Sequence, residues 1–414
     1  MRIDLFIARR LRLSDNNGNH TKTSIKIATA GVVLSVVIML ITIAVTSGFK
    51  HEIINKLIGF NAPISISAEV LDVSSSHPII NDVEAVEKIV NNVLPNVLVE
   101  ESVKLPAMLK TDESFAAVVF SGYSDNGHID FISDNIIAGE IPDFKTNPNK
   151  IVISSTVAEM LNIQVGDKIS TCFFVSERMR LRNFEISGIY NSGFEEYDKN
   201  IAYSSISTLK KIAGIPDGSA TSLEVSGVEF GDIVATCQML QLALNSAYYD
   251  KKLTQSLEVD SIINTGAMYL NWLSLLDTNV VVILVLMTAI SSFTLIASLI
   301  ILILERVNMI GTLKMLGATD SVIRRVFILL DLKVLVKGLV VGNIVALLLI
   351  ILQQQFQLLP LDPESYYISF VPVKIELWQV AALNLGAIVI ATAVMIFPSM
   401  IISRLKPATI LRYE

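Results

Sequence analysis

The sequence is poor in charged residues. Only 17% of its 414 residues are charged, whereas soluble domains carry roughly a quarter. Hydrophobic residues make up 52% of the chain, and the mean hydropathy is +0.58. This composition excludes intrinsic disorder, nucleic-acid binding and most soluble enzymes, and it indicates a membrane protein.

Motifs of common enzymes are also absent. The sequence contains no G-x-x-x-x-G-K-[ST] motif, so this chain does not bind ATP through a P-loop. It contains no H-E-x-x-H, G-x-S-x-G or C-x-x-C. The four histidines stand far apart in sequence, at His20, His51, His77 and His128, which argues against a zinc site. We therefore expect no catalytic residue, no metal site and no bound cofactor on this chain.

Four apolar segments are long enough to cross a bilayer, which requires about 20 helical residues. We predict spans at residues 27–47, 277–304, 326–354 and 377–403. Basic residues are concentrated in the flanking segments 1–26, 305–325 and 404–414, whereas the loop 355–376 carries one lysine against three acidic residues. By the positive-inside rule, both termini are cytoplasmic and the large segment 48–276 lies outside the cytoplasm.

The segment 48–276 differs in character from the rest of the chain. It contains 16 Lys and Arg against 29 Asp and Glu. Short strand and helix patterns alternate irregularly; a strand at Lys150–Ser154, for example, leads into a helix at Thr156–Leu161. The fold class that we predict is four transmembrane α-helices with a large α+β extracytoplasmic domain, of two subdomains, inserted between helices 1 and 2.

Both connections between this domain and the membrane have helical patterns. Gly48–Phe60 reads as an amphipathic helix that leaves the first span. Thr254–Asp277 is periodic enough to form a helical stalk that runs directly into the second span.

Several residues allow two readings from sequence alone. Cys172 and Cys237 either pair outside the cytoplasm or remain separate, buried apolar residues. Gly338 and Gly342 form a G-x-x-x-G pattern, which is either a helix-packing site or chance. Asn343 and Asn384 lie within predicted spans, which favours hydrogen bonding between helices over a substrate path.

The cytoplasmic loop after the second span carries the most informative pattern. Met309, Ile310, Leu313 and Leu316 form an apolar stripe on a short helix, which Gly311 interrupts and Gly317 ends. An exposed apolar stripe either lies on the lipid interface or binds another protein. Interfacial helices carry more basic and aromatic residues than this one, so we expect the stripe to bind a protein.

Three motifs resemble one family of membrane proteins. The loop, Glu305-Arg306 followed by Ile310-Gly311 and Gly317-Ala318, is similar to the motif E-R-x-x-x-I-G-x-x-x-x-x-G-A. That motif follows the second helix of FtsX-like/MacB-like ABC transporter permeases. Residues 46–64 resemble the segment after the first helix of the Lol-type lipoprotein-releasing branch. The C-terminal stretch 398–414 resembles the P…P-x-x-x-L-R-x-E ending of the family.

The resemblance implies that the loop is a coupling helix, which binds a separate cytoplasmic ATPase dimer that carries ATP and Mg²⁺. The corresponding residues here are Glu305, Arg306, Met309, Ile310, Gly311, Leu313, Lys314, Leu316, Gly317 and Ala318. The resemblance also implies a second permease, identical or paralogous, and a location in a bacterial inner membrane. The implied activity is ATP-driven release of lipoproteins toward a periplasmic carrier.

In that branch, acyl chains enter between the first two spans of the paired permeases. The residues that would line this site here are Val37, Leu40, Ile41, Ala44, Val45, Phe49, Leu273, Leu276 and Val280. One permease type also captures the carrier with a protruding loop. The corresponding hairpin, Thr171–Phe184, is short and lacks proline, so it departs from the pattern.

Two alternatives remain open at this level. Other permeases of the superfamily export peptides or antibiotics, or regulate cell-wall hydrolases by mechanotransmission. A membrane-anchored signalling or structural protein without a transport cycle is the alternative from a different class, and the coupling-type loop argues against it.

Overall fold

The computed structural model of the chain describes residues 19–69, 79–123, 130–175, 178–362, 366, 368–400 and 402. Its helices are α1 (Asn19–Phe60), α2 (Val83–Val93), α3 (Asp130–Asp134), α4 (Ser155–Leu161), α5 (Glu195–Asp198), α6 (Ile206–Ala213), α7 (Ile233–Tyr249), α8 (Ile262–Thr265), α9 (Ala267–Glu305), α10 (Val307–Met315), α11 (Asp320–Phe356) and α12 (Leu377–Ser399). Its strands are β1 (Ile64–Ala68), β2 (Leu98–Ser102), β3 (Lys104–Lys110), β4 (Phe115–Tyr123), β5 (Ile136–Gly139), β6 (Lys150–Ser154), β7 (Lys168–Val175), β8 (Arg178–Tyr190), β9 (Ile201–Ser205), β10 (Ser222–Ser226) and β11 (Leu257–Ser261).

The chain forms two compact units. The helical unit contains the membrane helices, and the α/β unit contains Glu52–Trp272 and Leu361–Ser369. In the described part of the chain, α1, α9, α11 and α12 are long and apolar enough to cross a membrane. The predicted fold class is therefore confirmed. Of the predicted cytoplasmic termini, residues 1–18 and 403–414 lie outside the described residues, as do His77 and His128.

Helices α1 and α11 pack closely because two glycines of α11 have no side chain at the contact. A Cβ atom at Gly338 would lie only 2.6 Å from Cγ1 of Val32, and one at Gly342 would lie 2.9 Å from Cβ of Val36. The G-x-x-x-G pattern is thus a contact between two helices of the same chain. Small residues permit such close backbone approach in a membrane, where apolar burial alone does not hold helices together.

A polar contact joins α11 to α12. The side-chain amide of Asn343 donates to Oδ1 of Asn384 at 2.8 Å, and the amide of Asn384 donates back to Oδ1 of Asn343 at 3.0 Å. This pair has the interhelical role that the sequence favours. Around these contacts, buried side chains from all four membrane helices form one apolar core, in which Leu40, Leu299 and Phe327 are fully buried.

Six strands of the α/β unit close into a barrel. Their order is β8-β6-β9-β4-β3-β7, and β7 pairs again with β8, while β5 extends the sheet beyond β8. The barrel closes because β8 is 13 residues long and pairs with three other strands. Its interior is filled by Phe120, Phe173 and Phe184, whose ring centroids are 5.1–6.1 Å apart.

The second subdomain is a four-stranded sheet of order β11-β1-β10-β2. Helix α7 packs against β11, and the Gln241 side chain bonds to the backbone of Leu257 and Val259 at 2.9 and 2.8 Å. Pairing with β1 makes Leu257–Ser261 a strand. The predicted continuous helix over Thr254–Asp277 is therefore wrong in its first part, and α9 begins only at Ala267. By contrast, α1 continues without interruption to Phe60.

The two cysteines do not form a disulfide with each other in the structure. Cys172 is buried in β7, Cys237 is half-buried in α7, and both are free.

A buried polar cluster lies in the α/β unit, near the end of α1. The Lys56 ammonium donates to the backbone oxygen of Ser192 at 2.6 Å. The Ser192 hydroxyl donates to Oδ1 of Asp198 at 2.7 Å. Burial raises the pKa of Asp198 to about 6, although the Ser192 hydrogen bonds and the charge of Lys56 act in the opposite direction.

We expect Gly338→Ala to destabilise the protein, because the added methyl overpacks the contact with Val32, and overpacking costs about 1–3 kcal/mol. Gly386→Ala in α12 is the matched control, since a Cβ there meets no atom within 4 Å. The measurement is the Tm of the detergent-solubilised full chain. Equal Tm values for the two variants would contradict the close contact.

A second prediction concerns pH. Because folding raises the Asp198 pKa above its ordinary value of 3.8, its contribution to stability is present below about pH 4 and is lost as the pH rises through about 6. We therefore expect the free energy of unfolding of Asp198→Asn, relative to that of the wild type, to rise by up to about 3 kcal/mol between about pH 4 and pH 7. Denaturant unfolding at both pH values measures this gain, and Asp217→Asn, at an exposed carboxyl, is the control. A pH-independent difference would refute the prediction.

Candidate functional site

The loop between α9 and α11 folds into the short helix α10, as its periodicity predicts. Helix α10 continues through Gly311 and ends near Leu316. Gly317 then takes a φ of +88°, which a glycine adopts at little cost. The Ala318 amide donates to the Leu313 carbonyl at 3.0 Å, and α11 begins at Asp320.

The exposed face of α10 differs from the predicted stripe. Ile310 is fully buried, and Met309 and Leu313 pack partly buried against the core of the helical unit. The expectation that Ile310 is exposed is therefore wrong, and Met309 and Leu313 are exposed only in part. Leu316 is 80% exposed and Met315 is 63% exposed, so the apolar surface available to a partner lies at the C-terminal end of the helix.

Polar residues extend this exposed face. Asn308 and Thr312 are exposed and lie on the same side of α10 as Met315 and Leu316, at a spacing of three to four residues. Glu305, the last residue of α9, is also exposed. Arg306 is half-buried and Gly311 is buried. We name the surface formed by Asn308, Thr312, Met315 and Leu316 the distal face.

Lys314 ties α10 to two neighbouring helices. Its ammonium donates to the backbone oxygen of Ile402, just beyond α12, at 2.7 Å. It also pairs with the carboxylate of Asp320, in the first turn of α11, at 2.9 Å. The Lys314 side chain is only 10% exposed, so this pair is better shielded than a surface salt bridge. Lys314 therefore links α10 to the first turn of α11 and to the residue just beyond α12.

An open apolar groove of about 380 Å³ lies between α1, α9 and α12. Its lining residues are Met39, Ile43, Leu284, Thr288, Trp378, Gln379, Ala382, Leu383, Gly386, Ala387 and Ile390. A Cβ at Gly386 would meet no atom, so the glycine widens the groove. Sequence reasoning missed the contribution of α12, and Gly386 within an apolar helix is the signal that could have indicated it.

Polar contacts hold α1 close to the groove, between residues 44 and 50. The Lys50 ammonium lies 2.5 Å from the carboxylate of Asp277 on α9. On the other side, the Lys374 amide donates to the Ala44 carbonyl at 2.9 Å, and the Gln379 side chain donates to Ser47 at 3.2 Å. Helix α1 is thus held from both sides at this level.

The predicted acyl-chain residues divide into two groups. Val37, Leu40, Ala44 and Leu273 are buried within this chain, so a ligand cannot reach them in this conformation. Five others are half-buried, namely Ile41, Val45, Phe49, Leu276 and Val280. None of the nine lines the groove, whose α1 residues are Met39 and Ile43.

Helix α9 is almost bare in this chain. Little of its most apolar part is buried, and Val281, Val285 and Phe293 are 58–72% exposed. Lipid or another membrane helix must cover this surface.

The hairpin of β7 and β8 carries exposed apolar side chains on one face. Phe174 lies opposite Met179 in the register, and both side chains are exposed, as is Leu181. Arg178, Arg180 and Arg182 occupy the alternate positions and therefore the opposite face. Residues 176–177 of this hairpin lie outside the described residues.

No metal site is present among the described residues. No group of three or more His, Cys, Asp or Glu side chains in the described ranges could hold an ion.

Comparison with known proteins accounts for most of the chain. Residues 27–232 match the MacB-like periplasmic core domain, and residues 281–407 match the FtsX-like permease C-terminal domain. LolC of Xylella fastidiosa strain Temecula1, a lipoprotein-releasing system transmembrane protein, is 23% identical over 93% of this chain and 92% of its own length.

Two further similarities are more distant. LolE of Haemophilus influenzae, which has the same description, is 20% identical over 93% of each chain. The crystal structure of the periplasmic region of MacB from Actinobacillus actinomycetemcomitans is 13% identical, with a TM-score of 0.34, and covers 52% of this chain and 95% of that one.

Proposed function

Because this chain belongs to the FtsX-like/MacB-like superfamily of ABC transporter permeases, we propose that it is a permease subunit that releases lipoproteins from the inner membrane. A separate ATPase subunit supplies the energy, and a periplasmic carrier receives the product. The observation that carries the proposal is the similarity to lipoprotein-releasing permeases over 93% of the chain, which includes both units.

The residues indicate which tasks belong to this chain and which to the ATPase subunit. The sequence has no P-loop, so ATP and Mg²⁺ belong to the partner. The distal face of α10 provides an exposed apolar end, Met315 and Leu316, with polar residues beside it. An apolar anchor surrounded by polar groups is typical of a protein interface. Lys314 passes the movement of α10 to α11 and α12 through the bonds described above.

We expect Leu316→Asp to weaken association with the ATPase subunit by about tenfold or more, because it places an unpaired charge in an apolar anchor. Leu242→Asp is the matched control, since Leu242 is a 70% exposed leucine on helix α7 of the α/β unit. Co-purification from detergent measures the effect.

Two further results define this test. Ile310→Asp should unfold the helical unit, because Ile310 is fully buried, and it is therefore unsuitable as a probe of binding. Recovery of the ATPase with Leu316→Asp at the level of Leu242→Asp would refute the docking role of the distal face.

The groove between α1, α9 and α12 is the surface that we assign to the substrate. Its lining is almost entirely aliphatic or aromatic, which matches the hydrocarbon of an acyl chain. Lys50 and Asp277 pair close to the groove, where the polar part of a lipoprotein would remain.

We expect a photo-cross-linker at Ile43, in the groove, to recover acylated protein during turnover. The same cross-linker at Phe293, which is 72% exposed on α9 and outside the groove, should recover membrane lipid instead. Mass spectrometry of the adducts distinguishes them. Failure to recover acylated protein at Ile43 would refute lipoprotein release, and recovery of unacylated peptides there would favour the peptide-export alternative.

Two partners follow from the exposed surfaces. The bare face of α9 fits a second permease, and relatives named LolC and LolE both align with this chain, so an identical copy and a paralogue both remain open. The exposed Phe174 and Met179 pair on the β7–β8 hairpin is the surface that we assign to the carrier.

A further inference from the structure

A second cavity lies within the α/β unit, outside the groove. Its volume is about 330 Å³, roughly twice that of the apolar cavity known to bind a benzene molecule. The apolar walls come from Phe60, Val119, Tyr197, Ile201 and Tyr269. These residues belong to four separate elements and the short helix α5, so the cavity exists only in the folded unit.

The aromatic walls are held rigidly. The Phe60 and Tyr197 rings stack with centroids 4.8 Å apart. The Tyr197 and Tyr269 centroids are 6.2 Å apart, and Phe194 packs edge-on against Tyr269 at 5.0 Å. Val119, on the outer face of β4, remains 37% exposed at the cavity. A preformed apolar surface that is still open to solvent is suited to a hydrocarbon ligand.

The polar rim of the cavity does not favour an anionic ligand. The Lys104 ammonium is already paired with Glu224 at 3.0 Å and donates to Asn61 at 3.2 Å. Glu196, at the rim, is exposed and acidic. The uncharged side chains of Asn61, Ser121 and Asn200 complete the rim. Such amide and hydroxyl groups match the ester and amide oxygens of an acylated polypeptide.

The chain connects this cavity directly to the membrane helices. Phe60 is the last residue of α1, and Tyr269 is in the first turn of α9. Two of the cavity walls therefore belong to helices that continue along the chain into the helical unit.

We propose that this cavity binds one acyl chain of the lipid-modified polypeptide after it leaves the bilayer. The proposal rests on the proposed function of lipoprotein release and adds a second substrate site, in the α/β unit. The ligand is a saturated hydrocarbon chain with an uncharged ester or amide head.

The test uses the full chain, assembled with its ATPase and second permease in phospholipid nanodiscs. The probe is a diacylated lipopeptide with a diazirine in one acyl chain. We expect it to label peptides that contain Phe60, Tyr197 or Tyr269. Val119→Trp fills the cavity and should lower this labelling about tenfold, which corresponds to about 1.4 kcal/mol. Ala117→Trp is the matched control, because Ala117 is exposed on the same face of β4 but does not line the cavity.

A second variant tests the cavity independently, in case Val119→Trp does not fold. Asn200→Trp enters the cavity from the exposed rim and should lower the labelling in the same way. Labelling that neither Val119→Trp nor Asn200→Trp reduces would overturn the proposal.

Other outcomes distinguish the possible occupants. If the peptide without acyl chains labels the cavity equally, the ligand is a polypeptide and the proposal fails. It also fails if diazirine-labelled phosphatidylethanolamine labels the cavity as strongly as the lipopeptide does. Labelling confined to the membrane groove would refute the cavity and leave lipoprotein release intact, whereas an absence of labelling at both sites would refute both.

Discussion

The close contact between α1 and α11 is the constraint on which the helical unit depends. Lipid tails are as apolar as leucine, so membrane helices are held by close packing and by polar contacts rather than by burial of apolar surface. Gly338 and Gly342 supply the packing against Val32 and Val36, and the Asn343–Asn384 pair supplies the polar contact. Because α1 is fixed in this way, it can provide one wall of an open groove without collapsing into it.

The contacts of Lys314 and the groove lie in separate parts of this unit. Lys314 joins α10 to the ends of α11 and α12, and α12 forms much of one wall of the groove. In the α/β unit, the barrel and the end of α1 frame a second apolar cavity, which is the second hydrocarbon site that we propose.

Sequence reasoning located α10 but assigned its apolar face wrongly. Its stripe of Met309, Ile310 and Leu313 has the periodicity of a buried face and of an exposed interface alike, since both are apolar. These three side chains pack against the core of the helical unit. Of the four residues in the predicted stripe, Leu316 is the one whose side chain is largely exposed. In the same way, periodicity predicted a helix across Leu257–Ser261, where pairing with β1 makes a strand.

The four membrane helices, the inserted α+β domain and the family motif were determined by the sequence alone, because length, hydropathy and local spacing are properties of contiguous residues. Tertiary structure decided which apolar residues are exposed, since that depends on neighbours distant in sequence. The groove joins α1 to α12, and the second cavity joins Phe60 to Val119 and Tyr269. No local pattern encodes either combination, because each requires side chains that only the folded chain brings together.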